Sequence, residues 1–318
     1  MRLAALLFSL ALPTAVLAQA FPARTITIVV PYSPGSTSDL LPRALAPHLA
    51  SSLGVPVVVE NRPGAGGNIG AALVAKGDAS GHSVLMAPSA VLATNQWLYK
   101  DPGYDPQKDL TPVIDAATTP NLWVANPSLP VKTMAELIAL AKAKPASLSF
   151  ASGGAGTTSH LCGELLKTMA QVDLLHVPYK GPAPALQDVL AGRVPLMCDN
   201  FSNVISHVRN GRLRAIALTG PKRIAQAPQV PTVSESGLPG FEISVWYGFA
   251  VPAATPKPVV QRLNREIAAA LHQPAVAERL EGLGLTIVAD TPEEFAHFVA
   301  AESEKMRRLV QASGATVE

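Results

Sequence analysis

The sequence is poor in the residues that most often announce a chemistry. It has two cysteines in 318 residues, Cys162 and Cys198. They form no CxxC pair, and no His/Cys cluster has zinc spacing, so neither a metal nor a cofactor is expected. Aromatic residues make up 5%, too few for a platform on which bases stack. Charged residues make up 15%, well under the roughly 25% of an average globular chain. The net charge is +2 and no basic run stands out, which argues against nucleic acid as a partner. Beyond residue 20 no apolar run is long enough to span a bilayer. With 48% hydrophobic residues the chain is not disordered, and its length suits two domains or one large one.

What is present begins with a leader. Arg2 gives a positive start, Leu3 to Val16 an apolar core, and Ala18-Gln19-Ala20 a small-x-small cleavage site. The expectation is export, with cleavage after about Ala20. The alternative, a retained membrane anchor, has a short apolar run for the task. An exported protein meets oxidising conditions. Cys162 and Cys198 are then either bridged or two buried thiols acting as small hydrophobes, and both readings stand at this stage.

The chain is organised around Ile28 to Leu40. Thr25 to Val30 is β-branched at almost every position and reads as a buried strand. Pro31, Pro34 and Gly35 end it. Ser36-x-x-Asp39 then reads as a helix start, with the hydroxyl on an orphan N–H and the acid on the positive helix end. A strand, a small-residue loop and a helix N-terminus aim free N–H groups at one point, which suits an anion. The arrangement returns at Leu148 to His160. These two loops are expected to face each other across a cleft and to hold a carboxylate between them.

Strands apolar on both faces alternate with helices, the pattern of parallel sheets covered on both sides. The expected fold is α/β with two lobes, each a mainly parallel sheet flanked by helices, with a ligand cleft between them. Lobe I is read as residues 21–122 and 244–318, and lobe II as 123–243. The chain crosses near 121–125 and returns near 241–250. Residues 100–112 read as loop and Leu122–Ala125 as a short strand. Thr133-x-x-Glu136 and Thr291-x-x-Glu294 read as capped helix starts, and Gly54 as a helix stop.

Enzyme signatures fail when checked. Gly153-Gly154-Ala155-Gly156-Thr157-Thr158 lacks the lysine of a phosphate loop, Gly64 to Gly70 does not give G-x-G-x-x-G, and no G-x-S-x-G exists. His160 and Asp39 lie near serines, so a periplasmic serine hydrolase is the enzymatic alternative, and convergence of three groups must be shown by geometry. Candidate ligand-binding residues are Tyr32, Ser33, Gly35, Ser36, Thr37 and Asp39 in the first loop. In the second they are Ser152, Gly153, Gly156, Thr157, Thr158 and His160. Ser89, Asn95, Tyr179 and Asp199 sit at or near strand ends, where open α/β sheets bind ligands. Asp39 is equally readable as a helix-start acid, His160 as a packing residue, and Lys180 as a nearby cation or a solvated one.

Several stretches resemble the substrate-binding proteins of tripartite tricarboxylate transporters, the Bug-type solute receptors. They are Val30 to Gly35 with Asp39, Glu60 to Asn68, Ser152 to Thr157, His176 to Gly181, Pro231 to Gly237 and Trp246-Tyr247-Gly248. Together they span nearly the whole chain. The resemblance implies the two-lobed, type II-like periplasmic-binding-protein fold and a monomeric periplasmic receptor that closes on a small organic acid, its two loops acting as pincers. It also implies the large and small membrane subunits of a transporter as partners. A sensory receptor with the same cleft is a further alternative. Ser36 stands where the family usually has a second glycine.

Overall fold

The computed structural model describes residues 21–179, 181–314 and 316; the leader and Lys180 lie outside the described residues. The first elements are β1 (Ile26–Val30), α1 (Thr37–Leu53), β2 (Val57–Asn61), α2 (Asn68–Ala75), β3 (Ser83–Pro88) and α3 (Asn95–Leu98). Then come β4 (Leu110–Ala125), α4 (Met134–Ala143), β5 (Ser149–Ser152), α5 (Thr158–Ala170), β6 (Leu175–Pro178), α6 (Pro182–Leu190), β7 (Leu196–Asn200), α7 (Phe201–Arg209) and β8 (Arg214–Leu218). The chain ends with β9 (Ser244–Pro252), α8 (Lys257–Leu271), α9 (Pro274–Gly282), β10 (Thr286–Ile287) and α10 (Pro292–Ser313).

Local chemistry accounts for most of these limits. Thr133 and Thr291 each accept a bond from the N–H three residues on, and Glu136 and Glu294 reach back to complete both capping boxes. Gly54 closes α1 in the left-handed region at φ 72°, a conformation without cost to a residue lacking Cβ. Ser36 departs from expectation. It is the N-cap of α1, yet its hydroxyl makes no capping bond. Asp39 takes the N–H of Gly35 instead, at 2.9 Å.

The strands run in the order β2-β1-β3-β9-β4-β7-β5-β6, with β8 and β10 also paired to β4. The outer strands are parallel, β1 with β2 and β3, and β5 with β6 and β7. The joining strands β9 and β4 are antiparallel to their neighbours. β4 pairs with β9 from Leu110 to Pro120 and with β7 from Asn121 to Ala125. One strand therefore serves both halves of a two-lobed α/β fold.

At sixteen residues β4 is far longer than the strand expected at Leu122, and it begins inside the stretch read as loop. Pro112 and Pro120 hide it, since proline removes ladder donors. The register shifts between Pro112 and Ile114 and between Asp115 and Ala117, bulges that absorb the misfit. α9 also escaped the sequence reading: Pro274 looks like a break but sits in the first turn of the helix, where its missing N–H costs nothing.

Asp115 on β4 is buried and donates its N–H to Asp290 at 2.7 Å. Burial, with the Asp290 charge beside it, pushes its carboxyl up to about 8; burial pushes Asp290 up to about 6. Both groups hold a proton more tightly folded than unfolded. Their contribution is fully present below the unfolded value near 3.8 and is lost as pH rises toward 8. Asp115→Asn, which cannot ionise, is therefore expected to gain stability relative to the parent between pH 5 and pH 8 in urea titrations. A difference that stays flat across that range would show that Asp115 does not change charge there.

Candidate functional site

A cleft of about 670 Å³ opens between the halves. Its walls include the loop before α1 and the loop before α5, the two small-residue loops singled out in the sequence. Tyr32, Ser33, Gly35, Ser36 and Thr37 line one side, and Gly153, Gly156, Thr157 and Thr158 the other. Ser89, Asn95 and Asp199 line it as well. Among the described residues the first-turn N–H groups of Thr37, Ser38, Thr158 and Ser159 have no hydrogen-bond partner. They belong to helices of 17 and 13 residues, so each set carries the positive end of a helix dipole. The Ser36 hydroxyl is likewise buried without a partner.

Four of the sequence candidates stand behind this wall. Asp39 accepts from Arg43 Nε at 2.9 Å, Asn61 Nδ2 at 2.8 Å and the Gly35 N–H. Burial raises its carboxyl, but these three bonds outweigh it and hold the group below the ordinary carboxylate range. Asp39 thus fastens the first loop to β2. Ser152 is fully buried; its Oγ lies 2.6 Å from His176 Nε2 and takes the Gly154 N–H at 3.1 Å. Burial, with His160 beside it, pushes His176 down to about 4, so the ring is neutral at physiological pH. His160 stacks on that ring at 3.9 Å, and its Nδ1 accepts the Gly156 N–H at 3.0 Å. The His160 proton therefore sits on Nε2, which faces Glu164 at 3.7 Å. Tyr179 donates to Asp188 at 2.7 Å, away from the cleft wall.

Other wall residues were not among the candidates: Leu98, Tyr99, Ser159, Asn203 and Tyr247. A signal for Tyr247 existed in the alternation of β9. Val245 and Tyr247 face the cleft, while Trp246 points the other way and packs edge-on against Phe295 at 5.5 Å. Polar contacts bridge the two sides. Thr37 and Ser202 hydroxyls stand 3.5 Å apart, and Asn200 donates to the Tyr247 hydroxyl at 3.2 Å. Gly156 packs so tightly on Leu98 that a Cβ there would lie 1.6 Å from Leu98 Cδ2. Cys162 of α5 and Cys198 of β7 form a disulfide, and beside it Ser159 donates to Asp199 at 3.3 Å. These two ties hold the start of α5 against the end of β7. No cluster among the described residues is arranged to hold a metal.

Two α/β halves on shared strands, with a cleft walled by helix starts from each, define a periplasmic-binding-protein fold, the class of the solute receptors. The chain belongs to the tripartite tricarboxylate transporter receptor family, whose profile matches residues 41–315. It is 38% identical over 302 residues to the protein BugT of Bordetella pertussis, covering 95% of this chain and 93% of that one. Among solved structures it resembles R. palustris Rpa4515 with adipate, at 37% identity and a TM-score of 0.85 over 93% of this chain and 100% of the other. MatC of Rhodopseudomonas palustris with bound malate gives 33% identity and a TM-score of 0.81, over 91% of this chain and 100% of that one. The family is one of solute-binding receptors.

Proposed function

We propose that this protein is a periplasmic receptor that captures a small organic acid by a carboxylate between its two loops and delivers it to the membrane subunits of a tripartite transporter. The supporting observation is the pair of unpartnered helix-start amide groups, Thr37 with Ser38 and Thr158 with Ser159, on opposite sides of one cleft. Backbone dipoles fixed in this way hold a negative charge without a cationic side chain. Two relatives carry dicarboxylates, adipate and malate, in keeping with such a guest. Lobe I comprises residues 21–122 and 244–318 and lobe II residues 123–243, with β4 and β9 between them. Closure follows because a guest touches both loops only when the halves meet.

The test is a thermal-shift screen of the mature chain against a panel of mono-, di- and tricarboxylic acids. An acid present at about a hundred times its dissociation constant is expected to stabilise the fold by roughly 2.7 kcal/mol. A panel in which no acid moves the melting temperature would overturn the reading. Pull-down of the membrane subunits with the loaded receptor tests delivery separately.

A further inference from the structure

Asp199 is out of place in a cradle for anions. It ends β7 in the wall of the cleft and is only 4% exposed. Its Oδ1 accepts the Asn200 N–H at 2.8 Å and the Ser159 hydroxyl at 3.3 Å; its Oδ2 accepts Asn203 Nδ2 at 3.2 Å. A carboxylate offers about four acceptor positions. Three are filled by the described residues, and one on Oδ2 remains open. Burial pushes the carboxyl up to about 6, so near neutral pH it is mainly ionised and accepts hydrogen bonds strongly. A second carboxylate placed against this oxygen is repelled, whereas a group bearing N–H or O–H is held.

We propose that Asp199 sets the ligand class of the cleft: Oδ2 accepts a hydrogen bond from a hydroxyl or ammonium group on the guest, which makes hydroxy- and amino-substituted carboxylic acids the preferred ligands. This rests on the carboxylate-capture reading above and sharpens it. The guest's carboxylate goes to the amide groups of Thr37, Ser38, Thr158 and Ser159. The substituent goes to Asp199, whose bond to Ser159 ties it to the same helix start.

Calorimetric titration of the native protein with matched acids tests this. The sets are propionate, lactate and alanine; succinate, malate and aspartate; glutarate, 2-hydroxyglutarate and glutamate. In the best-bound set, a substituted member is expected to bind at least about tenfold more tightly than the plain one, the worth of a hydrogen bond to a charged group. The hydroxy and amino members show which donor the site takes. In Asp199→Asn the Asn200 N–H and the Ser159 hydroxyl hold the amide oxygen at the Oδ1 position, and the NH₂ that replaces Oδ2 accepts nothing from the guest, so the preference should vanish or invert. The native comparison needs no variant and stands even if Asp199→Asn folds poorly. Binding of acids with no preference for a substituent in any set overturns this inference alone, as does an undiminished preference in a folded Asp199→Asn. Failure of all nine acids to bind overturns this inference, and failure of the wider panel as well overturns the carboxylate reading.

Discussion

Gly156→Ala is expected to weaken binding of any cleft ligand by up to about a hundredfold while leaving the fold largely intact. Gly156 sits at φ +74° in the loop before α5, and an added Cβ would lie 1.6 Å from Leu98 Cδ2 and 2.8 Å from its Cγ. No side chain occupies such a space. Either Leu98 is displaced or the two sides of the cleft stay apart. Overpacking of this kind costs about 1–3 kcal/mol and bears on the closed arrangement alone, whereas left-handed backbone at alanine, about 1–2 kcal/mol, lowers the stability of the fold in either arrangement. Some 1–3 kcal/mol against the closed arrangement is roughly five- to a hundredfold in affinity, because the competent state is depopulated by that factor. Calorimetry with an acid found by the screen measures it. Leu98→Ala placed in the Gly156→Ala background removes the obstacle and should restore much of the affinity. Wild-type affinity in Gly156→Ala alone would show that this contact is not needed for closure.

The second large effect belongs to the disulfide. Replacing Cys162 and Cys198 together by alanine is expected to cost about 3–4 kcal/mol of stability. The bridge spans 36 residues of sequence, and releasing a loop of that size returns this much chain entropy to the unfolded state. Both residues are fully buried, so small apolar replacements are better tolerated than serine. The expected result is a clear fall in the urea midpoint with a somewhat steeper slope, because the unbridged denatured chain is more expanded. Affinity should fall too, because the bridge holds α5, which carries the second loop, against β7, which carries Asp199. A loss below about 1 kcal/mol would show that the unfolded chain keeps this loop compact without the bridge.

The parts of the fold readable in advance are those in which local chemistry and tertiary structure agree. Thr133 and Thr291 sit where capping boxes belong, and Gly54 where a helix must stop. The hidden parts are those in which the tertiary environment wins. Pro112 and Pro120 argue against a strand locally, yet β4 carries Pro112 at a bulge against β9 and Pro120 where its pairing passes from β9 to β7. Asp39 and Ser36 have the letters of a capping box, but Arg43, Asn61 and Gly35 draw the acid away, and the Asp39 N–H goes to the Ser36 carbonyl, which leaves the hydroxyl bare. The site followed the same rule. Its loops were visible from glycines, prolines and helix starts, which are local signals. Whether a residue faced the cleft or stood behind it was not visible. Ser152 and His160 lie in the right loop but are claimed by His176, Gly154 and Gly156. Leu98 and Tyr247 face the cleft from distant segments that only the folded sheet brings in.

The passage of β4 from one partner set to the other, without leaving its hydrogen-bond ladder, constrains how the receptor moves. A tether of loose chain would let the halves wander in every direction. Paired strands act more like a piano hinge, stiff to sliding and shear and compliant chiefly to bend and twist. On the proposed closure, the halves would then travel along a narrow arc instead of through a cone, and the two loops would meet in a fixed register.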